Sequence, residues 1–81
     1  MQRTRAFTAE PFGQVIRAHR TEAGMTQEAL AAACDLHAVY ISMLERGQRH
    51  PTLDKVFMIA RALGLAPAAL IAEVEERLAQ P

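Results

Sequence analysis

The sequence predicts an all-α fold, a compact bundle of five short helices. Three observations lead there. Glycine and proline divide the chain at Gly24, Gly47, Pro51, Gly64 and Pro67, residue types that close or open helices. Between these breaks apolar residues recur three and four apart, and no stretch alternates convincingly as a strand would. Thr26 and Thr52 stand just upstream of two of the apolar runs, where a hydroxyl caps a helix start.

Taken in order, the first helix is expected to open at Pro11, with Glu10 held outside the helical region before it. Phe12, Val15, Ile16 and Ala23 share one side with His19, and Gly24 falls just past the end. The second helix covers about 27–33 behind Thr26, with Leu30, Ala31 and Cys34 facing inward. Asp35 and Leu36 form a short break. The third helix runs from about 38 to 45 and stops at Gly47. Thr52 caps a fourth, whose inward residues are Leu53, Val56, Ile59, Ala60 and Leu63, and Gly64 ends it. Pro67 opens a fifth carrying the stripe Leu70, Ile71, Val74 and Leu78. Residues 1–9 are expected to be a flexible N-terminal arm and 10–81 one domain. Helices two and three are each about two turns, too short to persist alone in water. Joined by so brief a break, they fit a helix-turn-helix.

Composition narrows the partner classes. The chain has 81 residues, 51% of them hydrophobic and 22% charged, the balance of a globular domain. A core of this size is marginal, and self-association is a common remedy. No apolar run approaches the roughly 18 residues of a spanning helix, so no membrane partner is expected. Arg3 and Arg5 are not followed by an apolar segment, so no secretory signal is expected either. A single cysteine, Cys34, has no internal disulfide partner, which fits a cytoplasmic protein. Formal net charge is zero, yet its distribution is uneven. Residues 1–61 hold eight Lys/Arg against six Asp/Glu, a charge of +2. Residues 62–81 hold Arg77 against Glu73, Glu75 and Glu76, a charge of −2.

The third helix, "HAVYISMLE" at 37–45, poses a problem of surface chemistry. Ile41 and Leu44 share one side. Opposite them the expected face carries Ala38, Val39, Ser42 and Met43, with no Asp, Glu, Lys, Arg, Asn or Gln. Such a face either is covered by the rest of a bundle or reads a surface of its own. Spacing alone leaves both open.

The stretch 15–65 resembles the Xre/Cro-type helix-turn-helix regulators, relatives of the lambda-phage repressors. The resemblance rests on Arg20, Gly24, "MTQEALA" at 25–31, "YISMLERG" at 40–47, "PTLD" at 51–54 and "ARALGL" at 60–65, in that order and spacing. It implies a lambda-repressor-like bundle that binds double-stranded DNA as a homodimer, with the third helix in the major groove. It also departs from the pattern twice. The turn position usually held by glycine is Asp35, one of the few residues that tolerates left-handed dihedrals, at a cost of about 1 kcal/mol. The usual Ser or Thr before the third helix is His37, a weaker cap.

Carried over position by position, the resemblance implies that His37, Ala38, Val39, Ser42 and Met43 face base edges. An apolar side chain packs on a thymine methyl, and Ser bonds either base type. Gln27, Tyr40, Arg46 and Arg49 are the implied phosphate contacts. Arg20 and Glu45 are the implied structural ion pair between helices one and three. On the fifth helix, Leu70 and Ile71 are expected to close the core against Leu63 and Leu65. Val74 and Leu78 are then expected to point outward as a dimer interface, rimmed by Glu73, Glu75, Glu76 and Arg77. Arg3 and Arg5 are candidates for a minor-groove arm. Two other readings belong beside this one: an antitoxin with a toxin partner, and a helix-turn-helix used only for protein contact. Neither an enzyme nor a cofactor is expected, since no nucleophile, carboxylate pair or phosphate-cradling loop is evident. His19, His37 and His50 are scattered with one Cys34, which is no metal-ligand spacing.

Overall fold

A computed structural model describes residues 7–80; the expected arm through residue 6, with Arg3 and Arg5, lies outside the described residues, as does Pro81. Among those described there are five helices and no strand: α1 (Ala9–Glu22), α2 (Gln27–Cys34), α3 (Ala38–Glu45), α4 (Leu53–Ala62) and α5 (Pro67–Ala79). Among the described residues no helix is long and apolar enough to cross a membrane by itself, and the chain turns by 104° between α4 and α5.

Helix boundaries follow the local chemistry. The Thr26 hydroxyl accepts the Ala29 amide at 2.9 Å, and Thr52 accepts that of Lys55 at 3.2 Å, each capping its helix. Asp35 adopts φ 59°, ψ 43°, the left-handed turn expected of it. There the Leu36 amide donates back to the Ala31 carbonyl at 2.9 Å, and Leu36 packs against the core. His37 makes no side-chain cap bond. One boundary differs from expectation. Helix α1 begins at Ala9, so Glu10 is helical and Pro11 sits third in the helix. The first turn has no internal partners for its amides, so a proline anywhere within it forfeits no hydrogen bond.

The core gathers Phe12, Val15 and Ile16 from α1, Leu30, Ala31 and Cys34 from α2, Ile41 and Leu44 from α3, Val56, Ile59 and Ala60 from α4, and Leu70 and Val74 from α5. Cys34 is a packing residue, and its burial pushes the thiol pKa up. Three expectations about this core fail. Ala23, expected to share the inward side of the first helix, lies past the end of α1 and is exposed. Leu53 is 70% exposed, because the first residue of α4 lies beyond the end of the stripe. On α5, Val74 is buried and Ile71 is 47% exposed, the reverse of the predicted arrangement. Val74 follows Leu70 by four residues and stays on its face, whereas Ile71 is one residue and about 100° away. Ile71 and Leu78, seven apart, form the outward line instead.

One close approach between helices went unread in the sequence. Gly13 lies mid-helix in α1, where a Cβ would fall 2.1 Å from the Leu44 carbonyl oxygen and 2.9 Å from that of Glu45. The end of α3 thus rests on the bare backbone of α1. Gly13→Ala is expected to lower stability by at least 1–3 kcal/mol, the scale of an overpacked site, although alanine is the better helix former. Gly24→Ala meets no atom within 4 Å but has φ +73°, and should cost about 1 kcal/mol. Thermal melts that rank Gly24→Ala as the more damaging would contradict this packing.

Candidate nucleic-acid interface

Helix α3 is held from behind by charge. Arg20 Nε donates to Glu45 Oε2 at 2.5 Å and its Nη2 to Oε1 at 3.0 Å, while Nη1 donates to the Met25 carbonyl at 2.8 Å. Both residues are buried. The fork geometry is the strong form of an arginine–carboxylate bond, and the Glu45 bonds raise the arginine pKa further above its ordinary value. Glu45 Oε1 also accepts from Gln27 Nε2 at 2.9 Å. One carboxylate therefore ties the end of α3 to α1 and to the start of α2. No buried side-chain polar atom among the described residues lacks a partner.

The opposite side of α3 is open. Val39 is 68% exposed, and Ser42 and Met43 are half-buried. His37, Arg46 and Arg49 are exposed around it. Ala38 is less free than the sequence suggested: it is half-buried and packs against the core. It stands three residues before Ile41, so part of it follows the inward side. Gln27 is likewise partly committed, because its amide is bonded to Glu45. Its side chain is oriented from within, and its backbone lies at the positive end of α2.

Tyr40 is half-buried and packs on the core beside the exposed strip. Burial raises its hydroxyl pKa, and the positive charge of Arg49 pulls it down. Lys55 Nζ stands 5.6 Å from the Tyr40 ring centroid. Sequence reasoning passed over Lys55 because fifteen residues separate it from Tyr40, and only the fold brings α4 against this flank. His19, expected on the inward side of the first helix, donates from Nε2 to the two Glu73 oxygens at 2.9 and 3.0 Å, tying α1 to α5.

The arrangement can present an uncharged strip, Val39–Ser42–Met43, between flanking cations to a surface that is apolar in places and anionic at its edges.

A family model described as helix-turn-helix matches residues 16–70. The control protein C.BamHI of Bacillus amyloliquefaciens is 48% identical over 61 residues, 74% of this chain and 75% of that protein. The crystal structure of the restriction-modification controller protein C.AhdI from Aeromonas hydrophila superposes with a TM-score of 0.75 at 38% identity, covering 82% of this chain and 98% of that one. The controller protein C.Esp1396I, solved as a tetramer in complex with its natural 35 base-pair operator, superposes with a TM-score of 0.84 at 29% identity, covering 94% and 100%.

The Arg20–Glu45 pair gives the second expected outcome. Glu45→Ala or Arg20→Ala alone should cost about 3–5 kcal/mol, because each leaves a buried charge unpaired. Replacing both by Met should recover much of that loss in chemical denaturation. A double variant as unstable as the sum of the two single ones would mean that the pair itself is not what the single variants break.

Proposed function

The chain belongs to the Xre-like helix-turn-helix family, and from that membership we propose that it is a transcriptional regulator that binds double-stranded DNA as a homodimer. The observation that carries this reading is the exposed, uncharged strip of α3, held rigidly from behind by Glu45 and Arg20. A helix meant to be covered in a bundle would not leave Val39 open. Val39 and Met43 are the residues placed to pack on thymine methyls, and Ser42 to bond a base edge. His37 joins them at the helix start, and Ala38 contributes its outer edge. Arg46, Arg49 and Tyr40 serve the phosphates, with Gln27 offering its backbone amide at the start of α2.

The dimer surface we infer is the outward face of α5. Ile71 and Leu78 are 47% and 40% exposed. Two shallow apolar grooves meet along this face and share Ile71 and Glu75. One includes Pro51 and Leu78, the other Phe57 and Pro67. A second copy related by a two-fold axis would set this face against itself, placing two α3 helices about one DNA turn apart on a near-palindromic operator. Val74, expected in the interface from the sequence, instead backs it from the core. The likeness to C.BamHI and C.AhdI favours a controller role in a restriction-modification system over an antitoxin. No enzymatic activity, metal or cofactor belongs to this reading, and its place is the cytoplasm.

Selection from a random duplex pool tests the readout. Val39→Ala and Met43→Ala should each change the selected motif, chiefly at A·T pairs, by about 1 kcal/mol per position. An identical motif in both variants would move specificity to DNA shape or to other residues. Sedimentation tests the interface. The wild type should be dimeric at tens of micromolar, on the order expected of a small apolar interface, and Ile71→Glu/Leu78→Glu should be monomeric, with a large loss of operator affinity. A wild type that sediments as a monomer, and a variant with unchanged mass and affinity, would refute this face.

A further inference from the structure

Resting on the DNA-binding reading above, we propose that Lys55 is a backbone-phosphate contact, its ammonium held at the edge of the reading surface by the ring of Tyr40. Lys55 lies on the first turn of α4, and its amide is fixed by the Thr52 hydroxyl at 3.2 Å. Its Nζ stands 5.6 Å from the Tyr40 ring centroid, within reach of a cation–π attraction. Tyr40 is itself anchored: its ring packs on the core, and it directly follows Val39 on α3. The ring therefore carries the lysine from α4 to the flank of the reading helix.

The choice of partner matters. A free lysine side chain has rotamer entropy to lose on being immobilised, and contact with an aromatic face restricts it beforehand. A carboxylate in the same place would restrict it too but would cancel its charge. The ring leaves the charge available to a third party. Lys55 belongs to neither of the ion pairs among the described residues. The positive charge of Arg49 also acts on the Tyr40 hydroxyl, so a second cation lies on the same flank. The acids nearby do not neutralise them. Glu45 is turned inward onto Arg20 and Gln27, and Asp54 is the single acid between residues 46 and 55, against Arg46, Arg49 and Lys55. A chain with no net charge thus concentrates cations beside its uncharged strip, which is where a duplex presents phosphates.

The experiment is binding of a fluorescent operator duplex and a random duplex across a salt series, at protein concentrations where the dimer is complete. Lys55→Gln should weaken both duplexes alike and reduce the slope of log affinity against log salt by about 1.8, one phosphate for each subunit of the bound dimer. Lys55→Arg should restore the slope. Tyr40→Phe keeps the ring and should keep the slope while affinity falls with the lost hydroxyl contact, whereas Tyr40→Leu should also lower the slope toward that of Lys55→Gln. Adding Lys55→Gln to Tyr40→Leu should lower it no further than Lys55→Gln alone. Arg61→Gln, six residues along α4 with its charge over Phe57, is the charge-matched control and should leave the slope unchanged. An unchanged slope in Lys55→Gln, with a wild type that binds, would overturn the proposal and leave the DNA-binding reading standing. A Tyr40→Leu slope equal to the wild type would overturn the role of the ring. A wild type without salt-dependent binding to either duplex would overturn the DNA-binding reading first, and this inference with it.

Discussion

Burying two opposite charges costs several kcal/mol in lost hydration, and the attraction between them repays that only with good geometry and full hydrogen bonding. The Arg20–Glu45 pair meets both conditions, with two bonds between the side chains and a third from Arg20 to the Met25 carbonyl. Its value to the molecule is directional. A leucine pair in the same space would orient α3 on α1 by shape alone, whereas the hydrogen bonds of a forked pair add a directional constraint. A forked pair permits one orientation. Gly13 brings the two backbones together at that same crossing. An eight-residue helix, unstable alone, is thereby fixed in place and rotation while its far side is left for another surface.

That far side explains how a chain of zero net charge is suited to DNA. The base readout proposed for Val39 and Met43 uses shape and methyl contact, which need no charge. Affinity then depends on a few cations placed around the strip rather than on an overall basic surface. The negative excess sits on α5, away in sequence from the reading helix, with Glu73 engaged by His19. Separation of the two charges along the chain keeps the acidic residues from opposing the phosphates.

The fold was largely legible because its punctuation is local. Thr26, Thr52, Gly24, Gly47, Gly64 and Pro67 act within a turn of where they stand, and the structure uses each as expected. Asp35 was readable for the same reason: left-handed dihedrals are a property of the residue and its position. What escaped reading was non-local. Gly13 looks like a weak helix residue until the α3 carbonyls arrive above it. Lys55 looks like solvent-facing charge until Tyr40 appears beneath it. The reversal of Ile71 and Val74 had a visible signal. Four-residue spacing from Leu70 favours Val74 for the core, and the 100° step per residue puts Ile71 on the line of Leu78. Counting the stripe as one unit concealed that it contains two lines.

Those two lines give α5 two tasks, and α1 connects them. Leu70 and Val74 face the core while Ile71 and Leu78 face out. The His19–Glu73 bonds and the bond from Arg77 Nη1 to Gln14 Oε1 at 3.1 Å hold α5 along α1. Along the same α1, Gly13 and Arg20 hold α3. In the proposed dimer, the distance and angle between the two reading helices are then set by a short rigid path from α5 through α1 to α3 in each subunit. Loops contribute little to that path, so half-site spacing becomes a property of helix packing. An interface that bends or a path that slackens would blur the spacing, and a duplex with half-sites a base pair too far apart would lose the second α3 rather than be accommodated by it.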